Sequence, residues 1–173
     1  TEVLAAIEAA GLTPANHNGK GQVVAAGTVE QLEAFAAKPP SRTRLFPLSV
    51  AGAFHTVHME PAVDHLREVA AAMPTTTPSV ALLSNLDGNV VTDGREFANR
   101  LVNQVAHPVR WDLCMDTMVE RSVTGLLELA PAGTLTGIAK RNLKGVKLFN
   151  LNTPDQIPAA REFVAAHSSK ENA

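Results

Sequence analysis

The chain has 173 residues, 45% of them hydrophobic and 18% charged, with a formal net charge of −2 and an isoelectric point near 6.3. That composition suits a folded domain with a real core, and no apolar run approaches the roughly 18 residues of a membrane helix. The 15 Lys and Arg are scattered and aromatics make up only 4%, so the charge footprint of a nucleic-acid binder is missing. The single cysteine, Cys114, excludes an internal disulfide framework and fits a reducing cytoplasm. It reads as a small core residue on a helix predicted over Asp112–Ser122. The opening Thr1-Glu2-Val3-Leu4 has neither an initiator Met nor a signal-peptide pattern. It starts directly in helical periodicity, which suggests a cut rather than a natural start.

In chain order, Val3, Leu4 and Ile7 predict a short helix ending at Gly11. Asn16–Gly21 is rich in turn residues and leads into a strand over Gln22–Ala26. Thr28 is a good N-cap, and Gln31 completes a capping box for a helix over Val29–Ala37. Pro39-Pro40 ends it, and Arg44–Val50 reads as a strand. Counting a strand on each side of the Asn16–Gly21 turn, the order up to residue 50 is helix, strand, strand, helix, strand. That is a ferredoxin-like βαββαβ unit without its first strand.

Beyond residue 50 the elements alternate. Met59, Val63, Leu66, Ala70 and Met73 recur at helical spacing, predicting an amphipathic helix over Met59–Met73. Ser79–Asn85 reads as a strand ending in the Asp87-Gly88 turn. Phe97, Leu101, Val102 and Val105 mark a helix stopped by Pro108. After the Asp112 helix come a strand over Gly125–Leu129, a turn at Pro131-Ala132-Gly133, a helix through Lys140 and a strand over Val146–Leu151. Pro154 suits the first turn of a last helix, and Ser168–Ala173 should fray. Such alternation argues for an α/β fold with a mainly parallel sheet covered by helices.

Of the six histidines, His55 stands out. Val50-Ala51-Gly52-Ala53 leads to it from the end of a predicted strand, where ligands bind in α/β sheets. His58, Glu60 and Asp64 are near in sequence, but no His-Glu-x-x-His or Cys pair accompanies them, and zinc needs three or four well-spaced ligands. No metal is expected. Pro131–Leu135 has one glycine and no Gly-Lys-Ser/Thr ending, which argues against a phosphate loop.

Gly52-Ala53-Phe54-His55-Thr56 followed by Met59 and Pro61 resembles the bacterial malonyl-CoA:acyl carrier protein transacylases. So do Asn16-x-Asn18-x-x-Gly21-Gln22-x-Val24-x-x-Gly27, Pro108-Val109-Arg110-Trp111, and Pro131–Gly137 with Lys140-Arg141. The segments fall in the family's order and span nearly the whole chain. The resemblance implies an α/β-hydrolase-like large subdomain with an inserted ferredoxin-like small one. Residues 1–50 would then be the incomplete small subdomain, and residues 51–173 the C-terminal part of the large one.

The resemblance also implies a ping-pong transfer of malonyl from coenzyme A to the pantetheine thiol of acyl carrier protein through a serine ester. The coenzyme A thioester is the substrate, and no cofactor is expected. By resemblance His55 is the base that activates the serine. Its other ring nitrogen would be held by the backbone carbonyl of Gln104, on a helix end where carbonyls lack partners. Phe54 would favour malonyl over methylmalonyl, although one methyl gives only about 1–3 kcal/mol of discrimination. Asn16, Asn18 and Gln22 match positions lining the substrate cleft, and Arg110, Lys140 and Arg141 are candidates for the acidic carrier or coenzyme A phosphates.

Three family elements have no counterpart here: the Gly-x-Ser-x-Gly nucleophile, the arginine that pairs with the malonyl carboxylate, and an N-terminal Gly-Gln segment of the oxyanion hole. None of the seven serines has glycine two places away on both sides. The chain alone is therefore expected to be inactive, with the N-terminal half of the enzyme as its partner besides malonyl-CoA and the carrier. A noncatalytic carrier-binding module is the alternative. Because the absent first strand would lie inside the small sheet, residues 1–50 should not form a stable subdomain alone. A cooperative thermal transition of those residues, in the purified chain with no second polypeptide, would contradict this.

Overall fold

The computed structural model describes residues 2–168. The chain divides into two compact units, Thr1–Cys114 and Met115–Ala173. Among the described residues, no helix is long and apolar enough to cross a membrane.

The first unit opens with α1 (Glu2–Ala9), β1 (Thr13–His17), β2 (Val23–Ala26) and α2 (Val29–Ala37). Gly11 takes φ +71° after α1, and a Cβ there would come within 2.9 Å of the Gln31 side chain. Thr28 and Gln31 form the predicted capping box, and Gln31 Nε2 also donates to Gly11 O at 3.1 Å. One side chain thus starts α2 and holds it to the end of α1.

β1 pairs antiparallel with β2, and Asn18 N donates to Gln22 O at 2.9 Å across the turn. The predicted turn therefore begins two residues later than Asn16, since Asn16 and His17 are strand residues. On its other side β1 pairs in parallel with β5 (Val109–Arg110), giving the order β2-β1-β5.

Arg44–Val50 is not a strand. A strand is defined by its neighbour, and among the described residues this segment has none. Its apolar side chains stay exposed, Phe46 at 76%. β2 is likewise an edge strand, with Val23-Val24-Ala25-Ala26 offering neither charge nor proline to discourage pairing.

A short 3₁₀ turn (Val57–Met59) leads into α3 (Glu60–Ala72), bounded by Met59 and Met73. The strand predicted over Ser79–Asn85 shrinks to β3 (Leu82–Leu83), paired antiparallel with β4 (Val90–Val91). The predicted Asp87-Gly88 turn joins them, with Gly88 at φ +73° and Gly88 N donating to Ser84 O at 2.8 Å. A Cβ on Gly88 would lie 2.4 Å from the Leu113 backbone. α4 (Gly94–Gln104) follows, capped by Asp93, whose carboxylate accepts from Glu96 N at 2.7 Å. Ile7, Leu12, Ala15, Val102 and Val109 are among the buried core residues of this unit. α5 (Trp111–Glu120) begins in it.

The second unit holds β6 (Gly125–Leu129), α6 (Thr134–Asn142), β7 (Lys147–Leu151) and α7 (Ile157–His167). β6 and β7 are parallel and joined through α6, a βαβ unit. Among the described residues the sheets are thus three and small: parallel pairing occurs at β1–β5 and β6–β7, and hairpins supply the rest. Pro154 starts a 3₁₀ turn (Pro154–Gln156) that feeds α7 rather than the helix itself. Beyond Ser168, the segment expected to fray lies outside the described residues.

α6 starts at Gly133, which has no side chain to cap it. Glu128 on β6 supplies the cap: its carboxylate accepts from Gly133 N (2.9 Å), Leu135 N (2.9 Å), Thr136 N (2.8 Å) and Thr136 Oγ1 (2.9 Å). Burial pushes its pKa up. The donors from Thr136, Leu135 and Gly133 outweigh burial and bring the pKa down to about 2. A carboxyl with a lowered folded pKa stabilises above its unfolded pKa, and that contribution disappears as pH falls through the folded value. We expect Glu128→Gln to destabilise this unit by about 2 kcal/mol in denaturant titrations at pH 7. The difference between variant and parent should narrow from about pH 4.5 down to about pH 2. A constant difference across that window would refute the cap's ionic character.

Candidate active site

His55 sits between β1–β2–α2 and α3, near the end of the long segment over residues 38–56 that runs from α2 to the 3₁₀ turn. Its backbone lies in the left-handed region at φ +64°. That conformation is uncommon for a non-glycine residue and costs of order 1–3 kcal/mol. Two hydrogen bonds to the end of α4 hold it there. His55 N donates to Val105 O at 2.8 Å, and His55 Nδ1 lies 2.7 Å from Gln104 O. A carbonyl oxygen only accepts, so Nδ1 carries the hydrogen in this pair. Nε2 is then the basic nitrogen, with its lone pair available.

Both carbonyls come from a helix end, where the last four C=O groups have no intrahelical partner. The Gln104 side chain fixes that end in turn, Nε2 donating to His107 O at 2.9 Å and to Pro108 O at 3.0 Å. The next residue, Val109, pairs with Asn16 on β1. Strand pairing thus runs from the β1–β2 hairpin to the turn that follows Gln104.

Thr56, next to His55, is only 1% exposed. Its hydroxyl donates to Ala53 O at 2.6 Å and accepts from His58 N at 3.2 Å, capping the 3₁₀ turn. This anchor went unread in the sequence, although a Thr at the start of a helix is itself an N-cap signal. Phe54 is 47% exposed, so it is not a core aromatic of this chain.

The structure places the six candidate residues in two groups. His55 and Gln104 meet directly, with Phe54 adjoining in sequence. Asn16, Asn18 and Gln22 belong to the β1–β2 hairpin, where the Asn18 side chain is buried.

Other candidates are occupied otherwise. Arg110 binds Asp112 in a two-point pair, Nε to Oδ1 at 3.0 Å and Nη2 to Oδ2 at 2.9 Å. Cys114 is buried with Sγ 3.4 Å from Ser84 O, and burial pushes its pKa up to about 11. A thiol so protonated is an inert core group. Among the described residues, no three His, Cys, Asp or Glu gather where a metal could bind.

No family model matches the chain. Its likeness to individual proteins is extensive. It is 49% identical over 154 residues to the malonyl CoA-acyl carrier protein transacylase of Mycobacterium tuberculosis, covering 89% of this chain and 51% of that protein. The crystal structure of MCAT from the same organism superposes with a TM-score of 0.88 at 47% identity, over 91% of this chain and 52% of that one. A malonyl-transacylase in complex with its type II PKS acyl-carrier protein matches with a TM-score of 0.85 at 29% identity, over 93% of this chain and 54% of that one.

An α/β chain matched over 91–93% of its length by these two structures is similar in fold and sequence to proteins named as acyl-transferring enzymes. More narrowly, it is a homologue of the malonyl CoA-acyl carrier protein transacylases, and it spans about half the length of the curated relatives it matches.

The Thr56 anchor generates a direct test. Thr56→Val keeps the shape and removes the hydroxyl, leaving Ala53 O without its donor and His58 N without its acceptor. The expected loss is about 1–2 kcal/mol of local stability, read as faster amide exchange at His55 and His58. Unchanged exchange at both would show that the hydroxyl holds nothing in place.

Proposed function

We propose that this chain is the C-terminal, histidine-bearing part of an S-malonyltransferase that moves malonyl from coenzyme A to the pantetheine thiol of acyl carrier protein. The nucleophilic serine would stand on the N-terminal half of the same enzyme. The observation that carries this reading is the 2.7 Å approach of His55 Nδ1 to Gln104 O. It fixes the tautomer a general base needs. The likeness to named transacylases over about half their length supports it.

In this reading the serine hydroxyl gives its proton to His55 Nε2 while its oxygen attacks the malonyl thioester carbonyl. The tetrahedral intermediate collapses, the C–S bond breaks, and the departing coenzyme A sulfur takes the proton from His55. The second half runs in reverse: the pantetheine thiol gives its proton to Nε2, attacks the serine ester, and the serine oxygen recovers the proton. Serine needs such a base because its hydroxyl is a poor nucleophile near neutral pH. Imidazole needs a second-site acceptor to stay in the right tautomer as it becomes charged, a role more often filled by a carboxylate. The Gln104 carbonyl would serve here without adding charge. No cofactor enters these steps.

Phe54 would limit the space beside the malonyl α-carbon, and the amides of Asn16, Asn18 and Gln22 would bond pantetheine or thioester in the cleft. The unpaired edge of β2 and the apolar run Leu45–Val50 support a small subdomain of ferredoxin type that lacks one strand, with residues 51–173 as the C-terminal part of a hydrolase-like one. Fatty-acid or polyketide synthesis in the cytoplasm is the setting such a reaction would serve.

The test combines the chain with a polypeptide carrying the serine-bearing half. With malonyl-CoA, mass spectrometry should find a malonyl ester on that serine, and carrier protein should then remove it. Neither polypeptide alone should transfer malonyl. A combined sample that is soluble and associated yet never acylated would end the proposal. In the same system Phe54→Ser should raise methylmalonyl turnover relative to malonyl by about tenfold, and an unchanged ratio would remove Phe54 from the selectivity account.

A further inference from the structure

α3 and α4 lie against each other and are pinned at both ends. One end is the site itself, where His55, just ahead of α3, bonds Gln104 O and Val105 O at the finish of α4. The other end lies at the finish of α3 and the start of α4. There the half-buried Arg95 guanidinium donates from Nη1 to Ala70 O and from Nη2 to Met73 O, both at 2.6 Å. Ala70 lies in the last turn of α3, where its carbonyl also accepts from Met73 N at 3.2 Å, and Met73 is the first residue beyond the helix; a cation is favoured at this end by the helix dipole.

Beside that bond the start of α4 packs closely against the segment that follows α3. A Cβ built on Gly94 would lie 2.2 Å from Thr76 O. The two pinned ends are separated by the 13 residues of α3, about 20 Å of helix. An α-helix is stiff along its axis, so an axial slide at one end appears at the other. A slide of 1 Å would change the 2.7 Å His55–Gln104 bond to one too long to hold the ring.

We propose that Arg95 is a positioning residue for His55: its fork onto Ala70 O and Met73 O sets the register of α3 against α4 at which the imidazole meets the Gln104 carbonyl. It touches neither ring nor substrate and acts through the helix pair. The consequence for turnover rests on the function proposed above, but the effect on the ring does not. The fork geometry explains why arginine is used: its fixed donors match two carbonyls at once.

The experiment labels the chain with ¹⁵N-histidine and reads the His55 ring by NMR in the wild type, Arg95→Ala, Arg95→Lys and Arg67→Ala. Arg67 pairs with Asp64 on the exposed face of α3 and serves as a control for lost charge on that helix. Wild type and Arg67→Ala should show the hydrogen on Nδ1. Arg95→Ala should give a mixture with Nε2–H, and exchange of the His55 amide should quicken at least tenfold while α3 and α4 remain helical by circular dichroism. Arg95→Lys, with a cation but no fork, should fall between the two. Should Arg95→Ala fail to fold, Arg95→Lys carries the test.

A folded Arg95 variant that keeps the wild-type Nδ1–H ring and exchange rate overturns the proposal. So does a wild-type ring already mixed between tautomers. Beside the serine-bearing half, Arg95→Ala should lower kcat about tenfold with KM for malonyl-CoA unchanged. If the ring responds as stated but the wild type never forms the acyl-serine, the function fails and the positioning role of Arg95 stands.

Discussion

The bond from an imidazole N–H to the last carbonyl of a helix is the constraint around which the first unit is arranged. A histidine free in solution exchanges its hydrogen between two nitrogens, and only one arrangement leaves Nε2 basic. Fixing it requires an acceptor of set position, and Gln104 O at 2.7 Å provides one. A helix end supplies such an acceptor without burying a carboxylate, because its carbonyls have no intrahelical partner; Gln104 O accepts from His107 N at 3.3 Å and from the ring as well. The arrangement also avoids the desolvation cost that a buried charge would add.

Holding that bond takes more than its two atoms. His55 occupies a left-handed backbone conformation that costs of order 1–3 kcal/mol, and its surroundings must over-determine it. They do so by three independent contacts: the His55 amide onto Val105 O, the Thr56 hydroxyl onto Ala53 O, and the Gln104 side chain onto His107 O and Pro108 O. Each lies within a few residues of the bond it supports. The β1–β5 pairing then ties the same turn to the small sheet, through Asn16 and Val109. Local strain at a functional candidate, set against well-satisfied neighbours, is the pattern expected where geometry matters more than stability.

Much of this was legible in the sequence because it is local. The Thr28–Gln31 capping box, the Asp87-Gly88 turn and the amphipathic α3 are set by residues at most four positions apart, and the structure has all of them. The roles proposed for His55 and Gln104 come from likeness to a family, since nothing in a helix of mixed polar and apolar residues marks one carbonyl out. The failures were non-local. Arg44–Val50 has strand composition but no neighbour among the described residues, and most of Ser79–Asn85 lacks one too. Val109–Arg110 has little strand signal yet pairs because β1 offers an edge. Arg95 was invisible for the same reason: its partners lie 22 and 25 residues away.

Among the described residues the apolar run around Phe46 is exposed and β2 is an edge strand, and the curated relatives matched are about twice as long as this chain. Under the proposed function each half of the enzyme is chemically incomplete: a serine without a base, or a base without a serine. The most direct measurement is malonyl transfer to carrier protein by the reassembled halves with His55→Ala in this chain. The account predicts that transfer slows by at least about 10²-fold while the halves still associate. Transfer at the parental rate would contradict it.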